Sequence, residues 1–215
     1  TSTDAVENHP HFSPDGQRIA FSSNRSGTNS VYVMPSAGGQ ANRLSWHADG
    51  GSVRGWTPDG QKVLFASGRD TAPRPINRLW TIPVDGGPAE LVLNQWAYNG
   101  AYSDDGKHMV IDRMSRWDGE WRNYRGGQNT PLVVVDLVNL EEIMINSDST
   151  IDIEPVWVDD TVYFLSDRDW VSNIWSYSVK RKRLKQITEF KNADIKQLAT
   201  NGEQLVFEQN GDLFT

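Results

Sequence analysis

The sequence predicts an all-β protein: a β-propeller of four-stranded antiparallel blades, with about five repeats present. They form part of a six-bladed ring or a closed five-bladed one. Three observations carry this. A turn phrase of the form aromatic-Ser/Thr-Pro-Asp-Gly recurs along the chain, as Phe12 to Gly16 and Trp56 to Gly60, then in worn form from Tyr102, Trp157 and Ala199. The apolar residues after each copy alternate with a period of two, as in Ile19 and Phe21 or Val63 and Phe65, which is the spacing of strands and not of helices. The copies lie 44, 46, 55 and 42 residues apart, and four short strands in a period of that length is the pattern of a propeller blade.

Each element follows from its residues. Pro presets φ for a turn, Asp supplies a side-chain acceptor and Gly the left-handed backbone, so the phrase closes a hairpin between a first and a second strand. In the first unit these strands are Pro10 to Ser13 and Arg18 to Ser22. A third, Val31 to Met34, leads through Gly38-Gly39 to a fourth around Asn42 to Leu44. The second unit repeats this with Lys62 to Ala66, Leu79 to Ile82 and Ala89 to Leu93. The third and fourth continue with Leu132 to Val135, Glu142 to Ile145, Ile174 to Tyr177 and Leu184 to Ile187. The fifth reaches a third strand, Asp212 to Thr215. The expected blades are residues 4–48, 49–94, 95–147, 148–190 and 191–215 of a single propeller domain or fragment. An excerpt of a larger ring is the expected arrangement, and an open arc of this kind would favour self-association through its bare strand edges. Phe12, Trp56, Tyr102 and Trp157 are expected as packing anchors between blades.

Composition excludes several functions. The 215-residue chain has 28 acidic against 21 basic side chains, a net charge of −7, which argues against a nucleic-acid partner. The run Lys180 to Arg183 reads as a solvated hairpin turn. There is no Cys, hence no disulfide or thiolate site, and the compartment stays open between cytoplasm and periplasm for what reads as a soluble protein. No run is long enough to span a bilayer.

No catalytic constellation stands out, no cofactor is expected, and no metal site is assigned. His9, His11, His47 and Asp49 are too loosely spaced for a metal centre. The paired acids Asp104-Asp105 and Asp159-Asp160 belong to turns. Two groups of contact residues remain. The connections that enter each first strand carry Asp4, Glu7, Asp49, Asp148, Asp152, Glu154 and Asp194, an acidic set that would favour basic peptide termini; Asp49 and Asp152 are its candidates. The insertion Ser115 to Gln128 carries Arg116, Trp117, Trp121, Arg122, Tyr124 and Arg125, the composition of an interaction hot spot. A further recurrence, Ser23-Asn24-Arg25, Ser67-Gly68-Arg69 and Ser166-Asp167-Arg168, reads either as a rim of arginines for carboxylates or as a brace within each blade. Repetition favours the brace.

These residues carry a family resemblance. The phrases with Ser-Pro-Asp-Gly or Thr-Pro-Asp-Gly, then Ser-x-Arg, then Val31-Tyr32-Val33-Met34 and Gly38-Gly39, resemble the WD-like repeats of TolB and tricorn protease. His9 to Gly16, Gly55 to Gly60, Tyr124-Arg125-Gly126-Gly127 and Phe164 to Asp169 narrow it to the N-terminal propeller of tricorn-like serine proteases, over nearly the whole chain. The resemblance implies a six-bladed propeller followed in the parent by a second propeller and a serine-protease core with a PDZ-like module. The family's catalytic residues fall outside this sequence. The expected role is non-catalytic: admitting or docking peptides and contacting partner protein domains. A stand-alone periplasmic TolB-like protein-binding propeller is the alternative.

Overall fold

The computed structural model describes residues 4–113, 123–145 and 149–215. Among the described residues there are strands and no helix, in antiparallel sheets whose strand order is the chain order. The first sheet is β1 (Glu7–Phe12), β2 (Arg18–Ser23), β3 (Ser30–Pro35) and β4 (Asn42–Arg43). The second is β5 (Ser52–Trp56), β6 (Lys62–Ser67), β7 (Arg78–Pro83) and β8 (Glu90–Leu91). The third is β9 (Asn99–Tyr102), β10 (His108–Asp112), β11 (Val133–Asp136) and β12 (Glu142–Met144). The fourth is β13 (Asp152–Val158), β14 (Thr161–Ser166), β15 (Asn173–Ser178) and β16 (Arg183–Gln186). The fifth has three strands: β17 (Ile195–Thr200), β18 (Leu205–Gln209) and β19 (Asp212–Phe214). These are the antiparallel blades of a β-propeller. The chain forms two compact units, Thr1–Tyr98 with the first two sheets and Asn99–Thr215 with the other three.

The recurring phrase builds one hairpin three times. The Ser13 hydroxyl accepts from Arg18 N at 2.9 Å while the Asp15 carboxylate accepts from Gln17 N at 3.0 Å, and Gly16 takes φ +69°. Thr57, Asp59 and Gly60 repeat this with Lys62 and Gln61, and Ser103, Asp105 and Gly106 with His108 and Lys107. The hydroxyl at the first position is the main reason that Asp15, Asp59 and Asp105 hold their protons more weakly than an ordinary aspartate.

In the first unit Ala20, Val31 and Val33 pack on Val53, Trp56, Val63, Phe65, Trp80 and Ile82, so the first and second sheets share one core. Trp56 closes it, with Nε1 donating to His11 O at 3.0 Å. In the second unit Val110, Leu132, Val134 and Ile145 meet Trp157, Val162, Phe164 and Tyr177, and a further core joins Ile153, Leu165 and Ile174 to Ile195 and Leu198.

Two expectations need correction. Trp56 and Trp157 are buried anchors and Tyr102 is half-buried, but Phe12 is 66% exposed. Phe12 pairs with Ile19, one pleat away from Ala20, and therefore lies on the face of the first sheet opposite its core. Second, β1 begins at Glu7 and not at Pro10. His9, at φ +52°, forms a bulge that lets Glu7 and Asn8 pair with Ser23 and Ser22. Similar irregularities interrupt β5 at Arg54, β13 around Glu154 and β17 at Lys196. A bulge re-aims side chains: Arg54 Nε donates to Tyr98 O at 2.6 Å within the first unit, and Glu154 accepts from Leu198 N at 3.0 Å, tying β13 to β17 within the second.

Candidate functional site

The Ser-x-Arg phrase follows the second strand of three sheets and makes the same object in each. Arginine Nε donates to the serine two residues earlier: Arg25 to Ser23 at 3.1 Å, Arg69 to Ser67 at 3.3 Å and Arg168 to Ser166 at 2.8 Å. The guanidinium then lies against two rings of its own sheet: Phe21 and Tyr32, Phe65 and Trp80, or Phe164 and Trp175. Arg25 pairs with Glu7, and Arg168 Nη2 donates to Asp152 Oδ2 at 2.7 Å. The phrase is thus a brace for the sheet.

This changes the role of Asp152, expected as a peptide contact. Its residue is fully buried, Oδ1 accepts from Thr150 at 3.0 Å and Oδ2 from Arg168. Burial pushes its pKa up while the Arg168 charge pulls it back. A carboxylate held in this way belongs to the fold. Glu7 and Glu154 are likewise engaged, and Asp194 accepts from Ser172 N at 2.9 Å. Asp49 differs: it stays half-exposed, 3.5 Å from His47 Nδ1.

The insertion is also anchored where it is described. Arg125 Nη1 donates to Asp167 Oδ2 at 2.9 Å, Nη2 donates to Asp167 O at 2.7 Å, and the guanidinium lies 4.6 Å from the Trp170 ring centre. Asn123 N donates to the same carboxylate, and Asn129 Nδ2 bonds Tyr124 O and Ser149 O, each at 2.6 Å. The Tyr124 ring lies over Gly126, where a Cβ would require it to move. Arg125 therefore clips the insertion to the fourth sheet. Arg116, Trp117, Trp121 and Arg122 lie outside the described residues.

The sequence did not single out three exposed indoles. Trp46 follows β4 at 67% exposure beneath the Arg43 guanidinium. Trp96 follows β8 at 47%, edge-on to Tyr98. Trp170 carries Arg125. The available signal was their position: Trp in connections, not in strands. Among the described residues no three His, Cys, Asp or Glu gather as a metal site. His11 is half-buried, and burial, with the Arg54 charge second, lowers its pKa to about 4.

Comparison with known proteins agrees with this architecture. The family model for the tricorn protease N-terminal beta propeller domain matches residues 1–215. "Tricorn protease homolog 1" of Streptomyces coelicolor is 33% identical over 216 residues, covering 97% of this chain and 20% of that protein. The "Tricorn protease homolog" of Saccharolobus solfataricus is 28% identical over 221 residues, with 100% and 20% covered. The chain thus spans about a fifth of the length of these relatives. Among solved structures, tricorn protease superposes with a TM-score of 0.84 at 24% identity over 99% of this chain and 21% of its own. A putative TolB from Agrobacterium tumefaciens gives 0.77 at 18% identity over 99% and 73%. With its whole length matched by the family model and its sheets built as blades, the chain belongs to the tricorn protease N-terminal β-propeller domain family.

Proposed function

We propose that this chain is the non-catalytic propeller segment of a tricorn-like serine protease, where it docks or admits peptides and contacts partner domains. The observation that carries the reading is in the first unit: Trp46 and Trp96 stand exposed on the connections that follow β4 and β8, and Asp49 is half-exposed on the first of these. Exposed indoles are costly to leave in water and mark contact surfaces. Asp49, three residues along the connection from Trp46, selects for positive charge, so the preferred peptide carries apolar or aromatic residues and a basic group. The peptide-bond chemistry of the parent is assigned to the part of the protein beyond these residues, since no nucleophile–base pair emerged from the sequence.

The test is binding of labelled basic-aromatic peptides to the chain, read by fluorescence anisotropy. Trp46→Ala and Asp49→Lys each weaken binding several-fold, and the chain alone cleaves nothing. Binding unchanged in both variants, or peptide hydrolysis by the chain alone, overturns the proposal. A stand-alone TolB-like binding propeller is the second reading, favoured by the 73% of the TolB structure that this chain covers. Sequence continuing past Thr215 into a second propeller and a serine-protease core selects the first reading, and a stop there the second.

A further inference from the structure

The second sheet carries the same arginine brace as its siblings with the charge balance removed. In the first sheet Glu7 stands opposite Ser23 and neutralises Arg25; in the fourth, Asp152 stands opposite Ser166 and neutralises Arg168. The third-strand residue opposite the same serine is neutral in both, Ser30 and Asn173. In the second sheet Ser52 pairs with Ala66, which places Gly51 at the carboxylate position beside Ser67, and Arg78 takes the neutral position opposite Ser67. One negative charge is gone and one positive charge is added. Gly51 cannot be the source of a replacement acid, because a Cβ there would lie 2.8 Å from the Phe65 ring.

Arg69 and Arg78 flank one indole, their guanidinium carbons 5.4 and 5.6 Å from the Trp80 ring centre. Arg69 Nη2, Arg78 Nε and Trp80 Nε1 are all buried with no acceptor. Arg69 as a residue is 8% exposed. The other bonds of Arg78 are accounted for: Nη1 donates to Asn94 Oδ1 at 2.7 Å and Nη2 to Asp70 O at 3.1 Å and Arg69 O at 3.3 Å. Asp70 and Asp49 favour the charge on Arg69 through space, yet burial outweighs them and lowers its pKa. Buried donors normally have acceptors and buried cations have anions. The indole N–H is orphaned in the fourth sheet too, at Trp175, so the donors specific to the second sheet are the two on guanidinium groups; they describe the complement of a carboxylate, the group that guanidinium forks match best.

We propose that Arg69 and Arg78, which both contact the Trp80 ring, form a binding site for a single carboxylate, which takes the place that the Glu7 and Asp152 side chains fill in the sibling sheets, with the Trp80 indole beside it as reporter. The ligand enters beside the exposed segment 70–76, whose Pro75 packs on Gly68. The site shares no residue with the docking surface above, although the Asp49 charge acts on Arg69.

The test is a titration of the whole chain followed by the Trp80 indole N–H resonance, assigned with Trp80→Phe. Sodium acetate replaces sodium chloride at constant ionic strength. Saturable movement of the Trp80 signal, with the Trp157 indole stationary, is the expected result. Arg78→Asn, which restores the fourth-sheet residue, should weaken acetate by about tenfold or more, consistent with loss of a charge-assisted bond; Arg78→Lys should weaken it less. A tripeptide with a free C-terminus that binds more tightly than acetate, and loses this on amidation, identifies a peptide end as the carboxylate. Equal binding of tripeptide and acetate identifies a free small acid. No movement at Trp80, linear drift of all indoles together, or full affinity in folded Arg78→Asn overturns the proposal. If Arg78→Asn does not fold, the titrations of the parent chain and of Arg78→Lys decide it.

Discussion

Replacing Arg168 by Met removes a charge and keeps the stem that packs on Phe164 and Trp175. Asp152 would be left fully buried with only Thr150 and Ser166 to bond it. Breaking a buried pair from one side costs about 3–5 kcal/mol, because the surviving ion has lost its compensation. At an m-value of about 2 kcal/mol per molar urea, that moves the midpoint down by roughly 1.5–2.5 M. The sign of the pH dependence is fixed as well. Burial already raises the folded-state pKa of Asp152, and without Arg168 only the hydrogen bonds from Ser166 and Thr150 oppose that rise. A carboxyl with a raised folded pKa gives its full stability below its unfolded value of about 3.9 and loses it as pH climbs through the folded value. The deficit of Arg168→Met should therefore be largest at neutral pH and shrink as the solution is acidified to about pH 4.5. The assay is urea unfolding by tryptophan fluorescence at both pH values. Arg25→Met serves as the comparison: Arg25 and Glu7 keep side-chain exposures of 21% and 19%, so its loss should be smaller. A neutral-pH deficit under about 1 kcal/mol, or one that does not narrow in acid, would refute the reasoning.

Three further outcomes follow from the described geometry. Trp56→Ala empties the core shared by the first two sheets and strands the His11 carbonyl, for a loss of about 3–5 kcal/mol by chemical denaturation. Gly51→Ala forces a Cβ against the Phe65 ring and should cost about 1–3 kcal/mol in the same assay, although the site is a connection and not a strand. His11, with a folded pKa of about 4, binds its proton later than the unfolded chain does, so stability should fall as pH drops from about 6.5 towards 4. His11→Asn should reduce that slope in a pH series of melting temperatures, the remainder belonging to His9, whose pKa burial also lowers to about 4.

The strands were legible because their determinants are local. Pro-Asp-Gly after a hydroxyl residue closes its hairpin through bonds among neighbours, and alternation sets which residues enter the ladder; most strands fall within one or two residues of expectation. The bulges were not legible. His9 and Glu154 adopt positive φ without being glycine, and only pairing with the next strand imposes that. Repetition of the phrase favoured the brace over a rim, and the structure agrees, but sequence alone does not tell a paired brace from an unpaired one. Arg25, Arg69 and Arg168 look alike along the chain, and it takes the cross-strand partner, Glu7, Gly51 or Asp152, to separate a satisfied cation from an unsatisfied one. Asp152 and Arg125 were expected as contacts by residue type, yet both are engaged within the second unit by Arg168 and Asp167.

Within every sheet the backbone ladder pairs a strand only with those made just before and just after it. A ribosome therefore delivers the pieces in the order of assembly. Each hairpin can close while the following one is still in the exit tunnel, with no wait for a distant partner and little entropy spent on long closures. Growth of the nascent polypeptide and growth of its ordered part proceed in step. Interrupting translation between sheets should release intermediates that already resist protease up to the last completed hairpin.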